Sequence, residues 1–344
     1  MKKSISIVSI FKHHSHFAGY KNVLRFTKPS KTFGIDYTKN PPAILRAHYF
    51  FHEFIARFKT IGLKFEVLHI LYGEDYYRFS RLLFPFKKIV VTFHQPPVIL
   101  EQELDKGNYN GRIAGFTHSL TRRRIRKLDA AIVMTDEQKQ IAKKYIPEEK
   151  IHIIPLGVEL NSLNKIFNEK KNLSRNKFQL ITVGEWQRDW DMYLKYVEYA
   201  SKHFTDLKFI LVNKNINEQL KMHILNCSNV EFKDNLDNQA LYNLYSESLA
   251  MFLPLKSAAG NNALNEGLAL GCPVISNITF PHLNYSTEFV FNFSNENEFL
   301  EKAKHLSRNS EEERVSISQH CNSATQAFSW ENVSSQLIEL YNKL

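Results

Sequence analysis

Short runs of apolar and β-branched residues recur along the chain, each followed by a longer stretch whose apolar residues fall at helical spacing. In the first half the runs read ISIVSI, FEVLHIL, KIVVTF, AAIVMT and KIHIIP. Runs of this length without polar alternation mark strands buried on both faces, as in parallel sheets. Between them AILRAHYFFHEFIARFKTIG and DEQKQIAKKYI show helical periodicity, the second opened by Thr135 and Asp136 as caps. Parallel strands need a crossover, so strand and helix in alternation predict a doubly wound α/β sheet.

The alternation stops once and starts again. After IPLGVEL comes NSLNKIFNEKKNLSRNK, a polar stretch with few apolar anchors. The series then resumes with FQLITVG, LKFILV, NVEFKD, AMFLPL and PVIS, separated by helical patterns at 189–204, 217–226, 237–248 and 261–270. A chain of 344 residues also exceeds what one core usually organises. The sequence predicts two Rossmann-like domains, residues 1–158 and 178–328, with a linker at 159–177. The closing segment 329–344, SWENVSSQLIELYNKL, has Ser329 as an N-cap candidate, Glu331 in the first turn, and Val333, Leu337, Leu340 and Tyr341 on one face, the pattern of a terminal amphipathic helix. Ligands of open α/β sheets bind outside the C-terminal strand ends, so two such sheets are expected to face a central cleft that holds the chemistry.

Three cysteines, Cys227, Cys272 and Cys321, are an odd number at wide spacing, which argues against a disulfide framework and a zinc site. The N-terminal apolar run is short, alternates with serine and lacks a small-residue cleavage site, so it reads as a first strand and not as a signal peptide. No stretch reaches the ~20 apolar residues that span a bilayer. A cytoplasmic protein, soluble or peripheral on the inner membrane face, is expected. Charge is unevenly placed: residues 1–170 hold 29 Lys and Arg against 15 Asp and Glu, and the remainder 16 against 20. A basic first half suits an anionic membrane or a lipid-diphosphate acceptor, or is a solvated surface without a partner. Within it TRRRIRKLD at 121–129 interleaves cations with Ile125 and Leu128, as a membrane-facing helix or a solvated helix face would. Nucleic acid is not expected, because no recognised binding module accompanies the charge.

The segment FLPLKSAAGNNALNEGLALGCPVISN carries the most chemistry: a strand, a turn of small and polar residues, a helix, a glycine, then proline and another strand. Gly260 allows close backbone approach, and Asn261 and Asn262 stand where the helix begins. Free amides and the positive dipole end there form an anion site suited to a diphosphate. Glu266, a turn further on, is placed to accept hydrogen bonds from a vicinal diol such as a ribose. An ordinary capped helix with a surface glutamate would look the same.

NNALNEGLALGCPVIS resembles the donor-binding signature of the retaining glycosyltransferases of GT-B fold, in particular family four, also called group 1. Four further segments agree in order: IHIIPLGVEL, LITVGEWQRDWD, VEFKDNLDNQALYNLYSESLAMFLPL and AFSWENVSSQLIELY. The resemblance implies that Glu266 binds the ribose hydroxyls and that Gly260, Asn261, Asn262 and Ala263 bring backbone amides to the donor sugar and diphosphate. It implies that His94, at a strand end in VVTFHQPP, hydrogen-bonds the donor sugar, and that Gly19 lies in the loop approaching diphosphate or acceptor. The sequence departs from the family at Ala258, where a glutamate is usual, and at Glu185 and Trp190, where an arginine and a lysine are usual. Arg188 lies between the last two and is the candidate for bidentate contact with the leaving diphosphate, or else pairs with Asp189 or Asp191. His13, His14 and His16 lack carboxylate or cysteine companions, and no DxD pair appears in the expected setting, so no metal and no other cofactor is expected. The implied activity is retaining transfer of a sugar from a nucleotide-sugar donor to a hydroxyl of a glycan or lipid-linked acceptor, in surface polysaccharide or glycolipid synthesis. A catalytically weak GT-B subunit that binds nucleotide or glycan for a partner enzyme is the alternative.

Overall fold

The structure is a computed structural model that describes residues 5–11, 19–35, 42–105, 125–172, 174–214, 216–280, 282–283 and 286–344. The chain forms two compact units, one of Met1–Gly157 with Phe328–Leu344, the other of Val158–Ala327.

The first unit runs β1 (Ile5–Phe11), α1 (Val23–Thr27), β2 (Lys31–Ile35), α2 (Pro42–Lys59), β3 (Val67–Ile70), α3 (Gly73–Tyr76), α4 (Ser80–Leu83), β4 (Lys88–Thr92), α5 (Pro97–Asp105), β5 (Ala130–Val133), α6 (Asp136–Ala142) and β6 (Ile151–Ile153). Its strands make one parallel sheet in the order β2-β1-β3-β4-β5-β6. Four of the five expected runs, after the first, sit in or beside β3 to β6, and the first forms β1. β2 was not legible: KTFGI is short, holds a glycine and lies at the sheet edge. Thr135 caps α6 through a reciprocal capping box with Gln138, as its sequence suggests.

Alternation along the strands builds two cores. Leu68, Ile70, Ile89, Val91, Ala131 and Val133 face one side. Val67, Val90, Ala130 and Ile132 face the other, where Trp330, Val333, Leu337, Leu340 and Tyr341 of the last helix, α14 (Trp330–Lys343), join them. Ser329 caps that helix, accepting from the Asn332 amide at 3.1 Å. His69 on β3 lies in the same layer, its Nδ1 2.6 Å from the Tyr341 hydroxyl and its Nε2 2.8 Å from Thr92 Oγ1. Burial, with the nearby His94 charge adding to it, lowers the His69 pKa to about 3.

That histidine predicts an acid sensitivity. Below its ordinary pKa near 6.5 the unfolded chain binds a proton at His69 that the folded chain refuses until about pH 3, so stability falls as pH falls through that window, by up to about 1.4 kcal/mol per pH unit. His69→Gln removes the titration and is expected to be less stable than the parent at pH 7.5, with the gap narrowing at pH 5.5 in urea unfolding. A gap constant with pH would remove His69 from the account.

The second unit runs α7 (Leu160–Lys170), β7 (Asn176–Val183), α8 (Trp190–His203), β8 (Lys208–Val212), α9 (Glu218–Leu225), β9 (Val230–Lys233), α10 (Asn238–Glu247), β10 (Ser248–Leu253), α11 (Asn262–Ala269), β11 (Val274–Ser276), β12 (Val290–Asn292), α12 (Glu296–Arg308) and α13 (Glu311–Ala324). The parallel sheet has the order β12-β11-β10-β7-β8-β9, the doubly wound arrangement whose direction of winding reverses between β7 and β10. The segment read as a linker at 159–177 is largely helical. Glu159 caps α7 by accepting from the Ser162 amide at 3.0 Å, and Leu160, Leu163, Ile166 and Phe167 are buried. These four lie on one helical face and supply the anchors that the polar composition obscures.

Candidate functional site

The reversal between β7 and β10 is where an open sheet leaves a crevice, and the two loops that leave these strands meet there. After β7, Gly184 (φ 86°) and Gln187 (φ 61°) both take left-handed backbone and curl the chain tightly. The loop is zipped to the segment after β10: the Asp189 amide donates to Pro254 at 2.9 Å, the Lys256 amide to Gln187 at 3.0 Å, and Arg188 pairs with Leu255. Asn277, just past β11, completes the frame by bonding both backbone groups of Leu255 at 2.8 Å.

Arg188 does not present an open fork. It is buried, and its Nε donates to the Val183 carbonyl at 3.1 Å, its Nη1 to Trp186 at 3.3 Å and its Nη2 again to Val183. The curl at Gly184 takes these carbonyls out of the sheet ladder, and the guanidinium satisfies them. Asp189 is not its partner either; it caps α8 by accepting from Met192 at 3.0 Å. Burial lowers the Arg188 pKa only to about 10, so its positive charge persists beneath the loop at neutral pH.

Gly260 and Asn262 are exposed, Asn261 is half-buried and Ala263 is buried. Gly260 does not use left-handed backbone; in this region that conformation belongs to Gly271 (φ 74°). Gly271 ends α11, with the Cys272 amide reaching back to Gly267 at 2.9 Å, and a Cβ there would lie 2.1 Å from Ser318 Oγ. At the other end Asn261 caps α11 by accepting from Leu264 at 3.2 Å. The amides of Asn262 and Ala263 have no acceptor within the helix and lie at its positive end.

Glu266 is the outlier of the unit. It is half-buried on α11, and burial raises its pKa to about 7, with no hydrogen bond or cation opposing the shift. Burial raises the phenols of Tyr242 and Tyr245, the Glu266 charge adds to both shifts, and Arg188 acts on Tyr245 in the opposite direction. The Tyr245 hydroxyl is itself buried without a hydrogen-bond partner. Arg188, Tyr245 and Glu266 therefore share one neighbourhood. Sequence reasoning missed both tyrosines and Asn277; Tyr242 and Tyr245 fall at i and i+3 in the helix before β10, which was a usable signal.

In the first unit His94 follows β4, its ring stacked on Tyr72 at 4.4 Å between centroids and met edge-on by Tyr20 at 4.6 Å. Its Nε2 donates to the Leu71 carbonyl and its backbone amide to Glu74 at 2.8 Å. The ring is thus fixed in orientation. Gly19 (φ 69°) needs its glycine and leads directly into Tyr20. His13, His14 and His16 lie outside the described residues. Among the described residues no group of three or more His, Cys, Asp or Glu is placed to hold a metal ion, and the three cysteines are free.

Residues 12–162 match the family model described as Glycosyltransferase Family 4. Among solved structures, apo OtsA superposes with a TM-score of 0.74 over 99% of this chain and 99% of its own, at 10% identity. The chain has the GT-B fold, and the first part of it matches a glycosyltransferase family model. The fold of this GT-B chain is shared equally by the sucrose-phosphate synthase of Thermosynechococcus elongatus (TM-score 0.71, 12% identity, 99% of each chain). The catalytic domain of starch synthase IV from Arabidopsis thaliana, bound to ADP and acarbose, gives 0.66 at 10% identity over 100% of this chain and 99% of that one. No curated protein matches the sequence.

Proposed function

We propose that this GT-B chain transfers a sugar from a nucleotide-sugar donor to a hydroxyl of a glycan or lipid-linked acceptor, with retention at the anomeric carbon. The observation that carries the reading is Glu266, a half-buried carboxylate on α11 whose pKa burial raises to about 7 with no hydrogen bond opposing the shift. A partly desolvated carboxylate is satisfied by a ligand that brings donors, and a ribose diol supplies two at the required spacing. The amides of Asn262 and Ala263 at the start of α11 then face the diphosphate. Lys256, exposed on the turn after Leu255, is a cation within the same loop pair, while Arg188 contributes its charge from beneath. Two structures of this fold hold such ligands: one from E. coli bound with UDP-2-fluoro glucose, and the starch synthase with ADP.

In the reaction the bond from the anomeric carbon to the diphosphate breaks and a bond to the acceptor oxygen forms on the same face. The acceptor proton passes to a diphosphate oxygen, so no side chain serves as covalent nucleophile and no metal is called for. His94, with its ring fixed, is the group assigned to the donor sugar, and Gly19 to the loop at the diphosphate or acceptor. Synthesis of a surface polysaccharide or glycolipid on the cytoplasmic side is the proposed setting. The second reading, a weakly catalytic subunit, rests on Ala258 in place of a carboxylate and on Glu185 and Trp190 in place of cations.

A melting-temperature screen with UDP, GDP, ADP, dTDP and CMP and their sugars, paired with a nucleotide-release assay, tests both. A cognate nucleotide at about a hundred times its Kd is expected to stabilise by about 2.7 kcal/mol, or about 5–10 °C for a unit of this size. A shift with release of nucleotide supports the transferase; a shift without release under any donor supports the binding subunit; no shift with any nucleotide removes the proposed site.

A further inference from the structure

Over residues 51–59 the end of helix α2 is amphipathic in the inverse sense. Its inward residues are His52, Glu53, Ala56 and Thr60, all buried, while Phe51, Phe54 and Phe58 point outward, followed by exposed Ile61. Phe58 is 76% exposed and Ile61 65%, and Phe86, on the turn before β4, is 97% exposed. A soluble helix ordinarily buries its aromatics and hydrates its polar face.

The inversion is fixed by hydrogen bonds. Glu53 accepts from the amides of Arg78 at 3.1 Å, Phe79 at 2.8 Å and Ser80 at 2.6 Å, and from the Ser80 hydroxyl, capping the chain as it enters α4. Turning the aromatics inward would strip these donors from a buried carboxylate, which costs more than hydrating the rings. The helix is held with its apolar stripe facing out. Phe86 belongs to the same region, because the Lys88 amide bonds Glu66 at 2.9 Å and Lys87 lies over the Phe65 ring at 4.6 Å, just beyond the end of α2.

Cations border the stripe. Arg57, Lys59, Lys64 and Lys88 are exposed, and among the side chains described between residues 51 and 88 Glu66 is the single exposed acid. By contrast Ile125 and Leu128, the apolar residues that suggested a membrane face at 121–129, are buried in the core of the first unit, and 121–124 lie outside the described residues. No helix among the described residues is long and apolar enough to cross a membrane.

We propose that the outer face of α2, with the turn at Phe86, docks the protein onto an anionic lipid surface. Exposed aromatics enter the interfacial zone of a bilayer while flanking cations meet its headgroups, a pairing that neither contact supplies alone. A second copy of the chain fits less well, since a two-fold contact on this face would set Arg57, Lys59 and Lys64 against their own copies. The inference is independent of the proposed transfer reaction, because it uses no residue of the candidate site.

The test is co-sedimentation of the full chain with vesicles of phosphatidylcholine alone and of phosphatidylcholine with an equal share of phosphatidylglycerol. Binding is expected only to the anionic vesicles, weakening with salt. Phe58→Ser with Phe86→Ser, both at exposed positions, should weaken it by at least about tenfold, and Lys59→Gln with Lys64→Gln by a comparable factor. Melting temperatures near the parent's confirm that the variants fold; should the double variant fail, Phe58→Trp gives an independent readout, a blue-shifted emission quenched by brominated lipid. Absence of binding to anionic vesicles, or binding untouched by the aromatic changes, overturns the proposal. So does a concentration-dependent dimer that Phe58→Ser dissolves, which would make the face a contact between copies of the chain.

Discussion

Trp330→Ala is expected to remove about 3–5 kcal/mol from the stability of the first unit, as loss of a fully buried large aromatic does. Trp330 is 1% exposed and begins α14, more than 170 residues after the rest of that unit has ended at Gly157. Its indole lies directly over Gly157: a Cβ at that position would fall 2.4–2.7 Å from three ring atoms, a separation no rigid ring tolerates. Tyr20 meets the same indole edge-on at 5.6 Å. The contact is thus the clasp by which the end of the chain completes a core begun at its start. Urea unfolding should show the loss, and a loss below about 1 kcal/mol would mean that α14 is not part of this core in solution. Gly157→Ala offers a check that the clasp itself is responsible. Alone it should destabilise; in the Trp330→Ala background the added methyl finds space, so the two changes should be strongly non-additive. Additivity would separate the glycine from the tryptophan.

The architecture was legible where one physical rule dominates. Strands buried on both faces must be apolar throughout, so β1, β3 to β6 and most strands of the second unit stand out of the sequence. The edge strand β2 is released from that rule and was missed. The helix at Leu160–Lys170 reads as a linker in the sequence because its four buried residues are diluted among asparagine, lysine and glutamate. α2 was readable as a helix, but its orientation was not: periodicity shows that a helix has two faces, and only the bonds to Glu53 show which face is turned inward.

The site was legible in type more than in detail. Asn261 as cap and Glu266 as the isolated carboxylate follow from a local pattern of helix start and acid one turn on. Arg188 did not behave as its charge suggested, because the left-handed turns at Gly184 and Gln187 leave carbonyls whose demand the sequence does not display. Tyr245 was invisible for a related reason. A tyrosine in a helix reads as core, and only the placement of Glu266 and Arg188 around it reveals a buried hydroxyl beside the carboxylate.

Glu266 yields the second large effect, and one that tells a ligand-binding role from a structural one. With a pKa of about 7 its carboxylate is largely protonated at pH 6 and ionised at pH 8. If the ionised form accepts the ribose hydroxyls, affinity for a nucleotide-sugar should rise about tenfold from pH 6 to pH 8 and level off above. The intact sugar diphosphate is the proper probe, since its phosphates do not titrate in this range. Glu266→Gln should weaken binding at pH 8 by about ten- to a hundredfold, the worth of hydrogen bonds to a charged acceptor, and should abolish the pH dependence. The effect on the empty protein runs the other way. A carboxyl whose folded pKa lies above its ordinary value binds a proton in the folded state that the unfolded state has released, so its stabilising contribution is lost as pH rises from about 4.5 through 7. Removing the charge by Glu266→Gln should therefore raise the stability of the unliganded protein at pH 8, by up to about 3 kcal/mol, while weakening its response to ligand. A group kept only for folding would show a loss in the first measurement, and a glutamate remote from the ligand would show no change in the second.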